Sequence, residues 1–463
     1  MSRTVQLVSP VDGRVLVARR CAESGAIAAA LDLAAGAQAR WRRTPLSERA
    51  ALCSAAVDAM LAMRDEIVPE LAWQMGRPVR YGAGELRGFE ERARHMIAIA
   101  PAALAAIEAA PEDGFRRYVR REPLGSVFVI APWNYPYLTA VNSVVPALMA
   151  GNGVILKHAT QTLLVGDRFA EAFRRAGLPA GVFQHLVLDH TQAGELIASG
   201  RVQQVNFTGS VPGGRAVARS ASDRFLGVGL ELGGKDPAYV LPDADLEHAA
   251  ANLVDGAFFN SGQSCCGIER IYVAEQAYPG FVRRFVEIAS EYVLGDPLEQ
   301  ATTLGPMVSA EAADFVRGQV AQAVGGGAQA LIDPRRFARD AAGSAYMAPQ
   351  VLVDVDHRMS VMRDESFGPV VGIMPVRDDA QAIALMNDSP YGLTASIWTR
   401  DLERAVAIGD EVATGTVFMN RCDYLDPALA WTGVKDSGRG ATLSRVGYET
   451  LTRPKSYHLR QQT

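Results

Sequence analysis

The chain has 463 residues and a mass of 49.6 kDa, and its 49% hydrophobic and 21% charged residues exclude a disordered chain. The length predicts about three domains, at roughly 150 residues each, with a core large enough to need neither disulfides nor a structural metal. A net charge of -5 and a pI near 5.9 exclude the electrostatic footprint of a nucleic-acid binder.

In chain order, residues 1–16 carry charges and a Pro10-Val11-Asp12-Gly13 turn, with no apolar signal-peptide core. Residues 24–109 are mostly helical in pattern, with apolar spacings of three and four over 24–37 and 45–63. Thr44-Pro45 is a helix-start signal, a capping hydroxyl before a proline at the first helical position. Residues 115–121 form a short basic strand that needs a partner, from a hairpin or another subunit. Between 126 and 156 there is no charged residue, a length that could span a bilayer. Pro132, Pro136, Pro146, Asn134, Asn142 and Asn152 break that span, so a buried strand, a polar turn and a buried helix are expected, with no membrane partner.

Strands at 126–130, 153–156, 185–188, 204–207 and 226–230 alternate with helices at 164–176, 191–199 and 213–222. This alternation predicts an α/β fold with a parallel sheet that binds ligands at its carboxyl ends. A second series follows a boundary near Gly233-Gly234. It has helices at 245–260, 278–292 and 309–324, and strands at 268–273, 348–353, 370–374, 395–398 and 416–419. Residues 454–459 are a further extended segment.

Five scattered cysteines, Cys21, Cys53, Cys265, Cys266 and Cys422, give neither a disulfide framework nor a zinc site and suit a reducing cytoplasm. His185 and His190 have a spacing that zinc sites use, but no Cys-x-x-Cys pair accompanies them, so both are structural or surface residues and no metal is expected. Only four of the 46 Lys plus Arg are lysines: Lys157, Lys235, Lys435 and Lys455. Each marks a place that needs a compact ammonium, or is a chance survivor; composition leaves the two readings equal.

Residues 229–235 have the spacing of a phosphate loop, but Asp236 stands where the magnesium-binding hydroxyl belongs, and Pro237 opens an extended segment rather than a helix. That excludes a nucleotide-dependent kinase. Thr208-Gly209-Ser210 is the better coenzyme element. It follows a strand, opens a helix and lets amides approach a pyrophosphate, although any strand–helix turn can look similar. Cys265 sits among small polar residues, as an exposed thiol would, whereas a lone cysteine is more often a buried hydrophobe. Glu231, in an apolar strand, is either a desolvated general base or an ion-paired structural residue. Asn134 is an amide placed to donate to an oxyanion, or a turn residue.

Jointly, Pro132-Trp133-Asn134, Lys157, Gly209-Ser210, Glu231 to Lys235, Gln263-Ser264-Cys265, Glu365-Ser366-Phe367 and Gly433 to Gly438 resemble the aldehyde dehydrogenase superfamily over essentially the whole chain. The resemblance implies oxidation of an aldehyde to the acid with NAD or NADP, through a cysteine thiohemiacetal and a thioester hydrolysed by water. It implies a Rossmann-like coenzyme domain (1–104 and 124–232), a catalytic domain (233–445) and an oligomerisation flap (105–123 and 446–463) of a homodimer or homotetramer. Cys265 would be the nucleophile, Glu231 the base, and Asn134 with the Cys265 amide the oxyanion site. Trp133, Lys157, Thr160, Gly209, Ser210, Gly214, Leu232, Glu365 and Phe367 would hold the coenzyme.

Two departures stand out. The family commonly has Lys-Pro-Ser/Ala-Glu where this chain has Lys157-His158-Ala159-Thr160, so the carboxylate on the ribose hydroxyls is missing. Thr160 then predicts use of NADP, with Lys157 and His158 close enough in sequence to meet its phosphate. Asn142-Ser143 replaces a common Trp-Lys, and Trp431 a common Phe. Tyr135, Tyr137, Tyr424 and Trp431 are the expected aromatic lining for the small-molecule aldehyde, and Arg421 allows a carboxylate-bearing semialdehyde. The alternatives are a coenzyme-A-acylating relative, which would not need Glu231, and a catalytically silent member of the fold.

Overall fold

The computed structural model describes residues 3–461. Four helices, Ser24–Trp41, Leu46–Leu61, Arg64–Met75 and Val79–Ala103, pack against the first α/β unit. The Trp41 indole donates to the Leu148 carbonyl at 3.0 Å, tying the first of them to that unit. Thr44 does not act as a cap: Pro45 itself occupies the N-cap position of Leu46–Leu61, in an extended conformation. A hairpin of Thr4–Val8 and Val15–Arg20 precedes these helices, and the turn at 10–13 is its only sequence signal.

The first sheet runs Gly438–Arg439, Gly227–Glu231, Gln204–Thr208, Ser126–Ala131, Gly153–His158, Phe183–His185, parallel except at the first member. Every residue of Ser126–Ala131 and Gly153–His158 is buried, which is why residues 127–131 and 153–156 are continuous apolar runs rather than alternating ones. The uncharged 126–156 stretch is strand, turn, helix Pro136–Met149 and strand. Among the described residues, no helix is long and apolar enough to cross a membrane.

The chain winds from Ser126–Ala131 outward to one edge, then returns to Gln204–Thr208 on the other side. The reversal leaves a crevice between the carboxyl ends of these two neighbours. The expected strand at 185–188 lies earlier, at Phe183–His185, because the chain must turn into helix His190–Ala198. That helix has a reciprocal capping box between Asp189 and Gln192.

The second sheet has seven strands, in the order Gln329–Ala330, Gln350–Val353, Val370–Val376, Ile268–Ala274, Asp236–Val240, Thr394–Trp398, Thr416–Met419. Two residues of the later chain, Gly438 and Arg439, return to the first sheet beside Glu231. The basic strand is Phe115–Pro123. It pairs antiparallel with Thr452–Arg460 on one side and Ile107–Glu108 on the other. Tyr118 faces Tyr457 across the pair, their rings stacked at 4.6 Å.

Candidate active site

The crevice is a cleft of about 680 Å³, within the usual range of roughly 300–1,000 Å³ for ligand sites. Trp133 and Asn134 reach it from the end of one strand, and Gly209 and Ser210 from the end of its neighbour. Ser210 caps helix Val211–Ala221, its hydroxyl accepting from the Gly213 amide at 3.3 Å, so the positive helix end faces the cleft. Lys157, Thr160 and Leu232 also line it. Gly214 does not. It is a packing residue, because a Cβ there would lie 2.6 Å from the Leu232 side chain.

Glu365 and Phe367 close the opposite wall. Phe367 has φ 50° and meets the Trp133 ring edge-on at 5.6 Å. Glu365 accepts from the Gly234 amide at 3.0 Å, and burial, with Glu269 nearby, pushes its pKa up to about 7. Gly233 lies against the Glu365 carboxylate, which a Cβ at this position would displace. Lys235 is buried and pairs with Glu269 at 2.5 Å, and Glu269 also accepts the Ser366 and Phe367 amides at 2.8 and 2.9 Å. The false phosphate-loop lysine therefore anchors this wall.

His158 supplies no positive charge. Its ring is fully buried between the Pro136 carbonyl at 3.2 Å and the Thr162 hydroxyl at 3.0 Å, and burial pulls its pKa down to about 3. Lys157 remains, with its ammonium 3.3 Å from the His158 carbonyl. His190, expected to be structural or superficial, borders the same cleft from the surface.

The thiol loop follows helix Leu246–Phe258. Asn260, Ser261 and Gly262 are all left-handed, with φ of 53°, 57° and 70°. Such a run persists only where its surroundings hold it. Arg77 and Asn260 provide the tie: Arg77 Nε donates to Asn260 Oδ1 at 3.2 Å, and Asn260 Nδ2 donates to the Asn134 carbonyl at 3.2 Å. Arg77 also donates to the Asn134 carbonyl at 2.6 Å and pairs with buried Glu85. Glu85 in turn accepts the Tyr137 and Leu138 amides at 2.9 and 3.1 Å, at the start of helix Pro136–Met149. Asn134 Nδ2 donates to the Gln263 carbonyl at 3.2 Å, which leaves its second N–H for a ligand.

Arg77 and Glu85 were not singled out from the sequence. Two charged residues in a mostly helical region look like a solvated face, and only their complete burial distinguishes them.

Cys265 is half-buried and lines both the cleft and a second cavity of about 390 Å³. Glu231 lines both as well, so the two spaces meet at this thiol and this carboxylate. Thr208 and Thr442 hydroxyls donate to opposite Glu231 oxygens, at 3.1 and 2.5 Å. Burial raises the Glu231 pKa, partly offset by these bonds and by Arg92. Cys266 is buried, its thiol donating to Asp423 Oδ1 at 2.9 Å. Contact with Cys265, then burial and Asp423, push its pKa well above that of an ordinary thiol.

The second cavity is lined by Tyr135, Tyr424 and Trp431, but not by Tyr137 or Arg421. Tyr137 follows Pro136 into the helix and turns into the core, its ring 5.8 Å from Phe169 and 6.4 Å from Phe89. Arg421 is exposed and stacks on the Tyr424 ring at 3.3 Å. The cations on the cavity wall are instead Arg77, Arg87 and Arg92, facing Asp255 and Asp423 among the acids.

A dinucleotide-sized cleft meeting a thiol, a carboxylate and an amide defines an NAD(P)-dependent oxidoreductase that works on a carbonyl carbon. The sequence matches the aldehyde dehydrogenase family over residues 1–457, and the chain belongs to that family. It is 34% identical to succinate semialdehyde dehydrogenase [NAD(P)+] Sad of Escherichia coli, covering 95% of this chain and 94% of that one. It is also 34% identical to 3,6-anhydro-alpha-L-galactose dehydrogenase of Streptomyces coelicolor, over 99% of this chain and 93% of that one. The solved structure of succinic semialdehyde dehydrogenase from Streptococcus pyogenes with NADP+ superposes with a TM-score of 0.93, at 28% identity over 98% of this chain and 100% of that one. The protein is an NAD(P)-dependent aldehyde dehydrogenase that oxidises small aldehydes to carboxylic acids.

Proposed function

We propose that Cys265 is the nucleophile, Asn134 the oxyanion donor and Glu231 the base of a hydrolytic aldehyde dehydrogenase. The observation that carries this reading is the position of Cys265 and Glu231 on both spaces at once. The Cys265 sulfur, attacking as its thiolate after its proton has passed to water, forms a bond to the aldehyde carbon, and the carbonyl oxygen takes the negative charge. The free Asn134 N–H and the Cys265 amide stabilise that oxygen. The coenzyme, when bound, accepts the hydride that leaves this carbon. Ser210 and the helix end behind it would hold the pyrophosphate, and Glu365 the nicotinamide ribose, while Trp133 and Phe367 would bound the ring. Glu231 then takes a proton from water as that water attacks the thioester carbon, and the Cys265 sulfur leaves with the acid released.

Glu231 acts as a base only when ionised, and burial raises its pKa. Deacylation should therefore fall as pH drops through a value above the ordinary carboxylate range. Glu231→Gln tests the assignment. A single-turnover burst of reduced coenzyme should survive, followed by a steady state slowed about 10²- to 10⁴-fold. Unchanged steady-state turnover would remove Glu231 from the role, and a lost burst would place it in the earlier step.

The same reading gives the coenzyme unit, the catalytic unit and the flap the segments 1–104 with 124–232, 233–445, and 105–123 with 446–463. The nine-residue strand Thr452–Arg460 forms an open edge of the flap sheet and supports assembly of a homodimer or homotetramer, to be read by light scattering. Five free cysteines support a cytoplasmic location.

A further inference from the structure

Arg92 lies on helix Val79–Ala103, 8% exposed, and opens into the cavity that holds Cys265. Both of its hydrogen bonds in the protein leave from one nitrogen, Nη1, to the Leu138 carbonyl at 2.8 Å and to Asn142 Oδ1 at 3.4 Å. No carboxylate forms an ion pair with it among the described residues. Glu85 exerts the largest favourable charge effect on it, but one Glu85 oxygen is committed to Arg77 and the other to the Tyr137 and Leu138 amides. A buried cation with unused donors and no counter-ion is costly unless an anion arrives.

Asn142 supplies a second observation. It is 2% exposed, lines the same cavity, and its Nδ2 is buried with no hydrogen-bond partner. The Arg92 contact fixes the carboxamide with oxygen toward the guanidinium, so the orphan must be the N–H₂ group. Native proteins rarely leave such a donor unsatisfied. Arg92 and Asn142 thus bring unmet donors to the lining of the cavity that also holds Cys265.

Of the acids on the lining, Glu85 and Glu91 share the helix of Arg92, Glu231 ends a strand and is held by the Thr208 and Thr442 hydroxyls, and the other two come from elsewhere. Asp255 belongs to helix Leu246–Phe258, and Asp423, on the C-terminal loop, already accepts from Ser264 at 3.0 Å and from Cys266. Glu91, at the mouth, accepts from the Tyr424 hydroxyl at 3.1 Å.

The geometry points to Arg92 and Asn142 as an anchor for the far end of the substrate, one that selects aldehydes carrying a terminal carboxylate. The inference rests on the proposed role of Cys265, because it takes this cavity as the approach to the thiol. Asn142, part of an unusual dipeptide in the sequence, thereby gains a task, and the cationic role expected of Arg421 passes to Arg92.

The test compares kcat/KM for three aldehydes of one chain length: succinate semialdehyde, butanal and 4-trimethylammoniobutanal. Wild type should favour the anionic aldehyde over butanal at least tenfold. Arg92→Gln should cut that ratio about 100-fold, mainly through KM, as expected for loss of a charge-assisted hydrogen-bond pair. Asn142→Asp, which sets a like charge beside the carboxylate, should lower the ratio in the same direction and guards against misfolding of the first variant. A wild type that prefers butanal or the cationic aldehyde would overturn the anchor, as would an Arg92→Gln enzyme that loses all three activities equally. The role of Cys265 is read separately, from whether Cys265→Ser loses turnover on every aldehyde; the anchor is read from the ratio alone.

Discussion

The proposed coenzyme cleft and the proposed substrate cavity meet at one thiol but are built in opposite ways. The cleft is made from strand ends, a helix cap and glycines, with side chains such as Lys235 and Glu269 holding the backbone from behind. The cavity is made from side chains on widely separated segments: Arg92 from the N-terminal helices, Asn142 from the helix after Asn134, Asp255 from the thiol helix and Asp423 from the C-terminal loop. A site made of backbone needs specific residues in a fixed order. A site made of side chains needs only that their carriers converge, so its chemistry can change without disturbing the fold.

The hardest way to break this comparison is at the junction. Cys265→Ser should abolish turnover, by about 10⁴-fold or more, because a hydroxyl lacks the thiol's accessible anion. Coenzyme affinity, followed by fluorescence titration, should hardly move, since the cleft is assembled without the sulfur. Cys266→Ser should keep substantial activity: its thiol is buried against Asp423 and held neutral. Reversed phenotypes would exchange the two cysteines.

This contrast also explains what could be seen in the sequence. Strand–helix alternation predicted the first sheet closely because its central strands, Ser126–Ala131 and Gly153–His158, are buried throughout, and buried strands are compact apolar runs. The thiol, the carboxylate, the amide and the Glu365-Ser366-Phe367 wall were legible because each lies in a local run of fixed spacing. Arg77, Glu85 and Arg92 were not: their partners lie between 8 and 183 residues away, and a charged residue on a helix looks superficial until its neighbours are known. Tyr137 and His158 failed for a related reason. Tyr137 stands two residues after Tyr135 and His158 one after Lys157, both of which line the site, and side chains so close along a helix start or a strand point in different directions. The lysine scarcity proved informative for Lys157 and Lys235, which are buried, and for Lys435, which donates to the Asn387 and Ser389 carbonyls at 3.1 Å. Lys455 is exposed on strand Thr452–Arg460 and follows no such rule.

A weaker but sharper probe tests whether the cleft wall depends on its rear support. Lys235→Met leaves Glu269 buried without its cation, at a cost of about 3–5 kcal/mol. Denaturant unfolding should show that loss. The variant should also bind coenzyme more weakly, since Glu269 holds the Ser366 and Phe367 amides of the wall. Stability lost with coenzyme affinity intact would mean that the wall keeps its shape without this pair.

The smallest expected effect concerns coenzyme choice, where the cleft borrows side chains. A space of about 250 Å³ adjoins it, lined by Arg3, Lys157, Thr160, Asp189 and His190. Thr160 opens the short 3-10 turn Thr160–Thr162 and is neutral, so it does not repel a 2′-phosphate as a carboxylate would. Asp189 is the one acid on this lining. One of its oxygens caps helix His190–Ala198, accepting from the Gln192 amide at 2.9 Å, and the other faces Arg3 at 3.9 Å. Its charge is thus partly answered within the protein, leaving Lys157 to meet a phosphate. The wild type should therefore use NADP at least as well as NAD. Thr160→Glu should lower kcat/KM for NADP about tenfold, the scale of one like-charge contact of about 1–4 kcal/mol between water and a protein surface. NAD, which lacks the phosphate, should be little affected. Asp189→Asn keeps the cap and removes the charge, so it should raise NADP use severalfold. If the wild type shows no measurable activity with NADP and Asp189→Asn restores it, the acid rather than Thr160 sets the preference. If neither protein uses NADP, the phosphate role of Lys157 is wrong as well.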